Sequence, residues 1–253
     1  MTNTHKILIV DDNIGNQKLV SLFIKSLGYE FDFASDGKEA VDLCINNDYG
    51  LVFMDQFMPV MNGTESASII KKRNKNIPVI AFSADSDIKC TNTLGEVIFD
   101  DFLPKPYNKA SIQNIIAKWL NNKPADSLPH DKIVADGNEL VFDYSYIVDN
   151  YLKISNIDAV KKILLDALDE IKERILNLSQ GNTVTELCTT FHTVKGVAGL
   201  LGGNRLYKLA QFFEDEAKVA DTSFDSGKAI NSIKKETELL EEAVLVKMSE
   251  LTG

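Results

Sequence analysis

Lys6–Val10, with the sequence KILIV, is a short unbroken apolar run. A strand with that composition must be buried on both faces, which calls for a parallel sheet covered by helices on either side. The residues that follow meet this demand. Val20, Phe23, Ile24 and Leu27 mark one face of a helix that Gly28 ends, and Tyr29–Phe33 alternates as a short strand. Asp36 is placed to cap a helix carrying Ala40, Val41, Leu43 and Cys44. Leu51–Met54, Pro78–Phe82 and Asp101–Leu103 read as further strands, with a helix through about Lys72 and a final one from Asn108 to Leu120. Ser86–Val97 is only weakly amphipathic and is expected to supply the remaining helix. The alternation predicts an α/β fold: a doubly wound, five-stranded parallel sheet with right-handed crossovers.

In such sheets ligands collect outside the carboxyl ends of the strands. Asp11 and Asp12 follow the first strand, Asp55 the third, Ser83 the fourth and Lys105 the fifth. Each acid alone reads as a helix cap or a loop residue. Together, three carboxylates converging on one point repel one another unless a cation joins them. A hard divalent ion with oxygen ligands, Mg²⁺ above all, suits that set, because it keeps waters and reaches a phosphate. Such a metal, Lys105 and the Ser83 hydroxyl can between them hold the three oxygens of a phosphoryl group.

Residues 5–121 resemble the response-regulator receiver domain throughout. The resemblance rests on Ile9-Val10-Asp11-Asp12-Asn13, Met54-Asp55-Gln56-Phe57-Met58-Pro59-Val60-Met61-Asn62-Gly63, Ala81-Phe82-Ser83-Ala84 and Leu103-Pro104-Lys105-Pro106. It implies a flavodoxin-like strand order 2-1-3-4-5 and Asp55 as the phosphoacceptor. It further implies a Mg²⁺ site of Asp11, Asp12, Asp55 and the Phe57 backbone carbonyl, with Ser83 and Lys105 contacting the phosphoryl group. Phe102 stands where the family often has a switching Tyr, so a phenolic hydrogen bond is excluded there. Phe57 and Asp85 occupy positions that tune dephosphorylation in the family.

Residues 122–140 are polar, with Pro124 and Pro129, and read as a linker between a first domain (1–121) and a second (141–253). After the linker the strand signals stop. Phe142-Asp143-Tyr144 leads into a short helix, and Val160, Leu164, Leu168, Ile171, Ile175 and Leu178 mark a long amphipathic one. Leu206, Leu209, Phe213, Ala217 and Ala220 mark another, and Ile230, Ile233, Leu240 and Val244 the last. Between them Leu187, Phe191, Val194, Ala198 and Leu201 form an apolar stripe at steps of four and three. An all-α four-helix bundle is expected.

His192 lies off that stripe, and Lys195, Gly196 and Gly199 share its side of the helix. Two glycines inside a helix cost roughly 1 kcal/mol each relative to alanine. Close approach by another macromolecule would justify that cost. The pattern His-x-x-Lys-Gly-x-x-Gly-x-Leu-Gly closely resembles the core of histidine-containing phosphotransfer (HPt) domains. The resemblance implies that His192 accepts a phosphoryl group on an exposed helix, that Lys195 offsets its charge, and that Gly196 leaves room for the donor.

Composition removes several classes of function. Apolar content of 44% and charged content of 25% are those of a soluble globular protein. A net charge of −10, most of it in the second half, argues against nucleic-acid binding. No apolar run approaches a membrane span and the start shows no secretory leader, so no membrane contact and a cytoplasmic location are expected. Cys44, Cys90 and Cys188 lack metal spacing. The chain carries no glycine-rich ATP lid and cannot phosphorylate itself from ATP. Whether it counts as an enzyme rests on receiver self-phosphorylation and dephosphorylation. The leading expectation is a phosphorelay protein whose partners are a sensor histidine kinase and the receiver of the same or a downstream response regulator. A binding module controlled by phosphorylation, without transfer between its own two sites, is the alternative. An aspartyl-phosphate hydrolase fits poorly, because Asp11-Asp12 lacks the Asp-x-Asp spacing.

Overall fold

The computed structural model of the chain describes residues 5–83, 98–105, 107–120, 140–153, 155–179, 181–219 and 224–252. The expected helix over Ser86–Val97 and all but the last residue of the linker lie outside them. The chain divides into two compact units, residues 1–132 and 133–253.

In the first unit, β1 (Lys6–Val10), β2 (Phe31–Ala34), β3 (Tyr49–Asp55), β4 (Val79–Ser83) and β5 (Asp101–Pro104) form one sheet in the order β2-β1-β3-β4-β5. Every pairing is parallel. The order reverses between β1 and β3, which opens a crevice beyond their carboxyl ends. Helices α1 (Ile14–Ser26), α2 (Gly37–Asn46), α3 (Gly63–Arg73) and α4 (Lys109–Leu120) cover the sheet. Alternation along the strands serves both faces. Leu8, Val10, Val52, Met54, Val79 and Ala81 pack with Ala40, Val41, Ala67 and Ile70 of α2 and α3. Ile7, Ile9, Phe53 and Phe82 point to the opposite face, where Phe82 stacks between Phe53 and Tyr107 at ring separations of 5.0 and 4.4 Å. Burying each of the Val, Leu, Ile, Met and Phe side chains among them stabilises the fold by about 1.5–3 kcal/mol.

The helix starts follow local chemistry. Asn13, Asp36 and Asn62 each accept a backbone N–H from the first turn of α1, α2 and α3. Gly63 is required at the start of α3, because a Cβ there would collide with the Asp55 carbonyl oxygen.

The second unit is helical. A short helix α5 (Tyr144–Ile147) runs into a π-helical turn (Val148–Leu152), followed by α6 (Ile157–Leu176), α7 (Val184–Leu200), α8 (Asn204–Val219) and α9 (Ser226–Thr252). Each of α6 to α9 packs against two of the others in the cycle α6-α7-α8-α9, which makes a four-helix bundle. Thr183 and Glu186 form a reciprocal capping box at the start of α7. Its end is closed by Gly202 in the left-handed region (φ +72°), with the Gly203 N–H donating to the Ala198 carbonyl. The apolar stripe expected of α7 is the buried one, with Leu187, Phe191, Val194, Ala198 and Leu201 all in the core; those of α6 and α9 are buried except for Leu178 and Ile230, which are half-buried.

Candidate functional site

Two clusters of buried charge stand out, one in each unit. Parallel strands bring Asp11, Asp55 and Lys105 to the same edge of the sheet, immediately after β1, at the last residue of β3 and immediately after β5. Carboxylate oxygens of Asp11, Asp12 and Asp55 lie within 4.8 Å of one another. The Lys105 ammonium sits 2.8 Å from Asp55 Oδ2 and 3.6 Å from Asp11 Oδ2. The other Asp55 oxygen accepts the Gln56 backbone N–H at 2.7 Å. Asp11, Asp55 and Lys105 are all buried, and Asp12 is half-buried.

Burial pushes the Asp11 carboxyl up to about 7; the Lys105 charge offsets part of this, while Asp55 and Asp12 add to it. Burial also works against the Lys105 ammonium, but attraction to Asp55 and Asp11 outweighs it and holds its pKa above the ordinary lysine value. Three acids facing one ammonium are therefore short of positive charge. The donor set fits a divalent ion: it is all oxygen, it is close enough to share one cation, and burial opposes the charge on Asp11 until one arrives. Phe57 lies in the loop toward α3, two residues beyond Asp55, with its side chain exposed. Ser83 closes β4, its backbone in register with Pro104; its side chain lies outside the described residues, as does Asp85. Phe102 is half-buried against the α2–α3 side of the core.

In the bundle, His192 and Lys195 come from α7 and meet Glu214 of α8. Glu214 Oε1 is 3.0 Å from His192 Nδ1 and 2.8 Å from the Lys218 ammonium, and Oε2 is 2.5 Å from the Lys195 ammonium. Burial pushes the Glu214 carboxyl up, but the hydrogen bonds and charges of His192 and Lys195 together win and hold it well below the usual carboxylate range. An ionised Glu214 accepts only, so His192 Nδ1 is the donor and carries the ring proton.

The expectation of an exposed imidazole is corrected here. His192 is 5% exposed and Lys195 2%, and Gly196 and Gly199 are buried with them rather than forming an open face. Helices α7 and α8 make the most extensive contact in the bundle. Burying a cation and an imidazole in that seam is tolerable because Glu214, itself 2% exposed, pairs with both. Sequence reasoning passed over Glu214. It sits on the core side of α8, four residues after Ala210 and three before Ala217, where a carboxylate signals a buried partner.

The comparisons with known proteins agree with this division. A family profile described as the response regulator receiver domain matches residues 7–117, and one described as the Hpt domain matches residues 159–243. The signal transduction histidine-protein kinase BarA of Shigella flexneri is 24% identical over 221 residues, covering 84% of this chain and 24% of that protein. The chain thus spans about a quarter of that relative's length. A transcriptional regulatory protein, a CpxR homolog of Haemophilus influenzae, is 31% identical over 184 residues, covering 71% of this chain and 76% of that protein. Among solved structures, the receiver domain of a sensor histidine kinase from Pseudomonas aeruginosa is 28% identical, covering 46% of this chain and 98% of that one, with a TM-score of 0.42. The chain belongs to the two-component phosphorelay proteins, as a response regulator receiver domain followed by an Hpt domain.

Proposed function

We propose that the chain carries phosphoryl groups in a relay, with Asp55 and His192 as the two acceptors. On this reading Asp11, Asp12, Asp55 and the Phe57 carbonyl would hold Mg²⁺, which would supply charge neutralisation for the phosphoryl group. One oxygen of the Asp55 carboxylate attacks phosphorus as the bond to the donor nitrogen breaks, and the electron pair of that bond returns to the donor imidazole. Lys105, already against Asp55, and the Ser83 hydroxyl hold the incoming phosphoryl oxygens. In the second step the lone pair of an imidazole nitrogen attacks the acyl phosphate, and the carboxylate of Asp55 is the leaving group.

His192 is prepared for that second step. Glu214 takes the Nδ1 proton as a hydrogen bond, which leaves the lone pair on Nε2 as the nucleophile and stabilises the positive charge that develops on the ring. This contact is the observation that carries the reading. Lys195 and Lys218 add positive charge around Glu214, the carboxylate that holds the ring. Burial of the ring would shield a phosphohistidine from water.

The proposed boundaries remain 1–121 for the receiver, 122–140 for the linker and 141–253 for the Hpt domain. A sensor histidine kinase is the proposed donor, and the receiver of this or a downstream response regulator the proposed recipient or source for His192. Among the described residues no helix is long and apolar enough to cross a membrane. A cytoplasmic location belongs to the same reading. Radiolabelled phosphotransfer from a sensor kinase to wild type, Asp55→Asn and His192→Gln tests the proposal. Acid-labile label on His192 that disappears in Asp55→Asn is the expected result. Label confined to Asp55 in the wild type would refute transfer between the two sites.

A further inference from the structure

The acid cluster has an unassigned member on α1. Asn16, 2% exposed, lies one turn into the helix that leaves Asp11. Its amide nitrogen Nδ2 is 3.2 Å from Asp11 Oδ1 and 3.1 Å from Asp11 Oδ2, so it donates across both oxygens of one carboxylate. Its backbone N–H is tied at 2.7 Å to the Asn13 side chain, the cap of α1, and the Asn13 backbone N–H donates to Asp11 Oδ1 at 2.9 Å. The first turn of α1 therefore grips Asp11 from one side, while Lys105 approaches Oδ2 from the other at 3.6 Å.

A second observation shows what orients the Asn16 side chain. Its own oxygen, Oδ1, is buried without a hydrogen-bond partner. A buried asparagine serving packing alone would satisfy its acceptor as well as its donor, since an unmet acceptor is costly. Here the donor end is held on Asp11 at the expense of the acceptor end. Turning the amide over would place Oδ1 against the two accepting oxygens of Asp11, so Asp11 selects the orientation.

We propose that Asn16 is a positioning residue for the divalent-ion site: it fixes the plane of the Asp11 carboxylate so that Asp11 faces a cation together with Asp12 and Asp55. This rests on the metal reading above and extends it to a residue outside the ligand set. Lys105 cannot play this part, because it is a point charge nearer to Asp55 than to Asp11. The Asn13 backbone N–H reaches only Oδ1 and leaves the carboxylate free to rotate about that contact. Asn16 spans both oxygens with a neutral donor, which orients the ligand without competing with the cation for it.

The test is Mg²⁺ binding to the full chain by titration calorimetry, for wild type, Asn16→Ala and Asn16→Leu. Alanine favours the helix and leucine refills the volume, so one of the pair keeps the receiver folded, as checked by circular dichroism in EDTA. Either folded variant is expected to bind Mg²⁺ about tenfold more weakly, the usual cost of losing an outer-shell partner. Phosphorylation of Asp55 by acetyl phosphate should then need correspondingly more Mg²⁺ for half-maximal rate, with excess Mg²⁺ recovering most of the rate. A purely structural asparagine would lower the melting temperature without moving the half-saturating Mg²⁺ concentration. A folded variant whose Mg²⁺ affinity stays within about twofold of wild type overturns the inference while leaving the metal reading standing. A wild-type chain that binds no Mg²⁺ overturns both.

Discussion

On the proposed reading the Asp55 cluster and the His192 cluster receive the same dianionic group, and they start from opposite charge balances. At the sheet edge three carboxylates face a single buried ammonium, so the site is short of positive charge. In the bundle one carboxylate, Glu214, is shared by Lys195, Lys218 and the His192 ring, so the site has positive charge to spare. A phosphoryl group brings about two further negative charges. On the proposed reading the first site needs a divalent cation to accept it, whereas the second draws on its own lysines. The backbones match these needs. Strand ends deliver short acidic side chains to one crevice, while a helix–helix seam has the length to bury lysine stems against apolar surface.

The largest test of this contrast is Glu214→Ala, which leaves Lys195 buried without its counter-charge. Removing one partner of a buried pair is expected to cost the bundle about 3 kcal/mol or more in urea unfolding. A loss under about 1 kcal/mol would mean that Glu214 does not organise the site. The variant should also slow label transfer to His192, since nothing then holds the proton on Nδ1.

Acid should erase the same contribution gradually. The Glu214 carboxyl is held below its ordinary value of 4.5, so its ionised form stabilises the folded bundle. That stabilisation is fully present above the ordinary value and is lost as pH falls below it, because the unfolded chain then binds the proton first. Unfolding measured across this range should show wild type ahead of Glu214→Gln near neutrality and the gap closing on acidification. A gap that widens toward acid pH would reverse the assigned sign.

The smallest effect lies in the loop that follows Asp55. Val60 has φ +67°, a conformation a β-branched side chain rarely adopts, and it is 81% exposed, so packing does not repay it. Val60→Asn is expected to raise receiver stability by about 1 kcal/mol, read as a higher melting temperature. An unchanged or lower value would show that Val60 contributes a contact to the loop.

The receiver was the more legible of the two halves. Runs such as KILIV announce buried strands, and the acids at their ends needed only the parallel sheet to converge. The strand order itself came through resemblance, since periodicity says nothing about which strands neighbour each other. Val60 was hidden for a related reason: backbone strain follows from the whole loop, not from the dipeptide. In the bundle, helical spacing assigned the core stripe of α7 correctly and yet misjudged His192. An amphipathic pattern describes one helix, whereas the burial of His192 and Lys195 depends on a carboxylate contributed by the next. Asn16 escaped notice because its partner, Asp11, lies across the strand-to-helix turn rather than one helical turn away.

The contrast between the sites is tested most directly by following both phosphoryl pools in one sample. The chain is labelled on Asp55 and His192, EDTA is added, and acid-stable and acid-labile label are counted over time. The expected result is that new phospho-Asp55 ceases to form once the divalent ion is removed, while phosphohistidine already on His192 persists as in the untreated sample. Continued formation of phospho-Asp55 in EDTA, or faster loss of label from His192 once EDTA is added, would contradict the account.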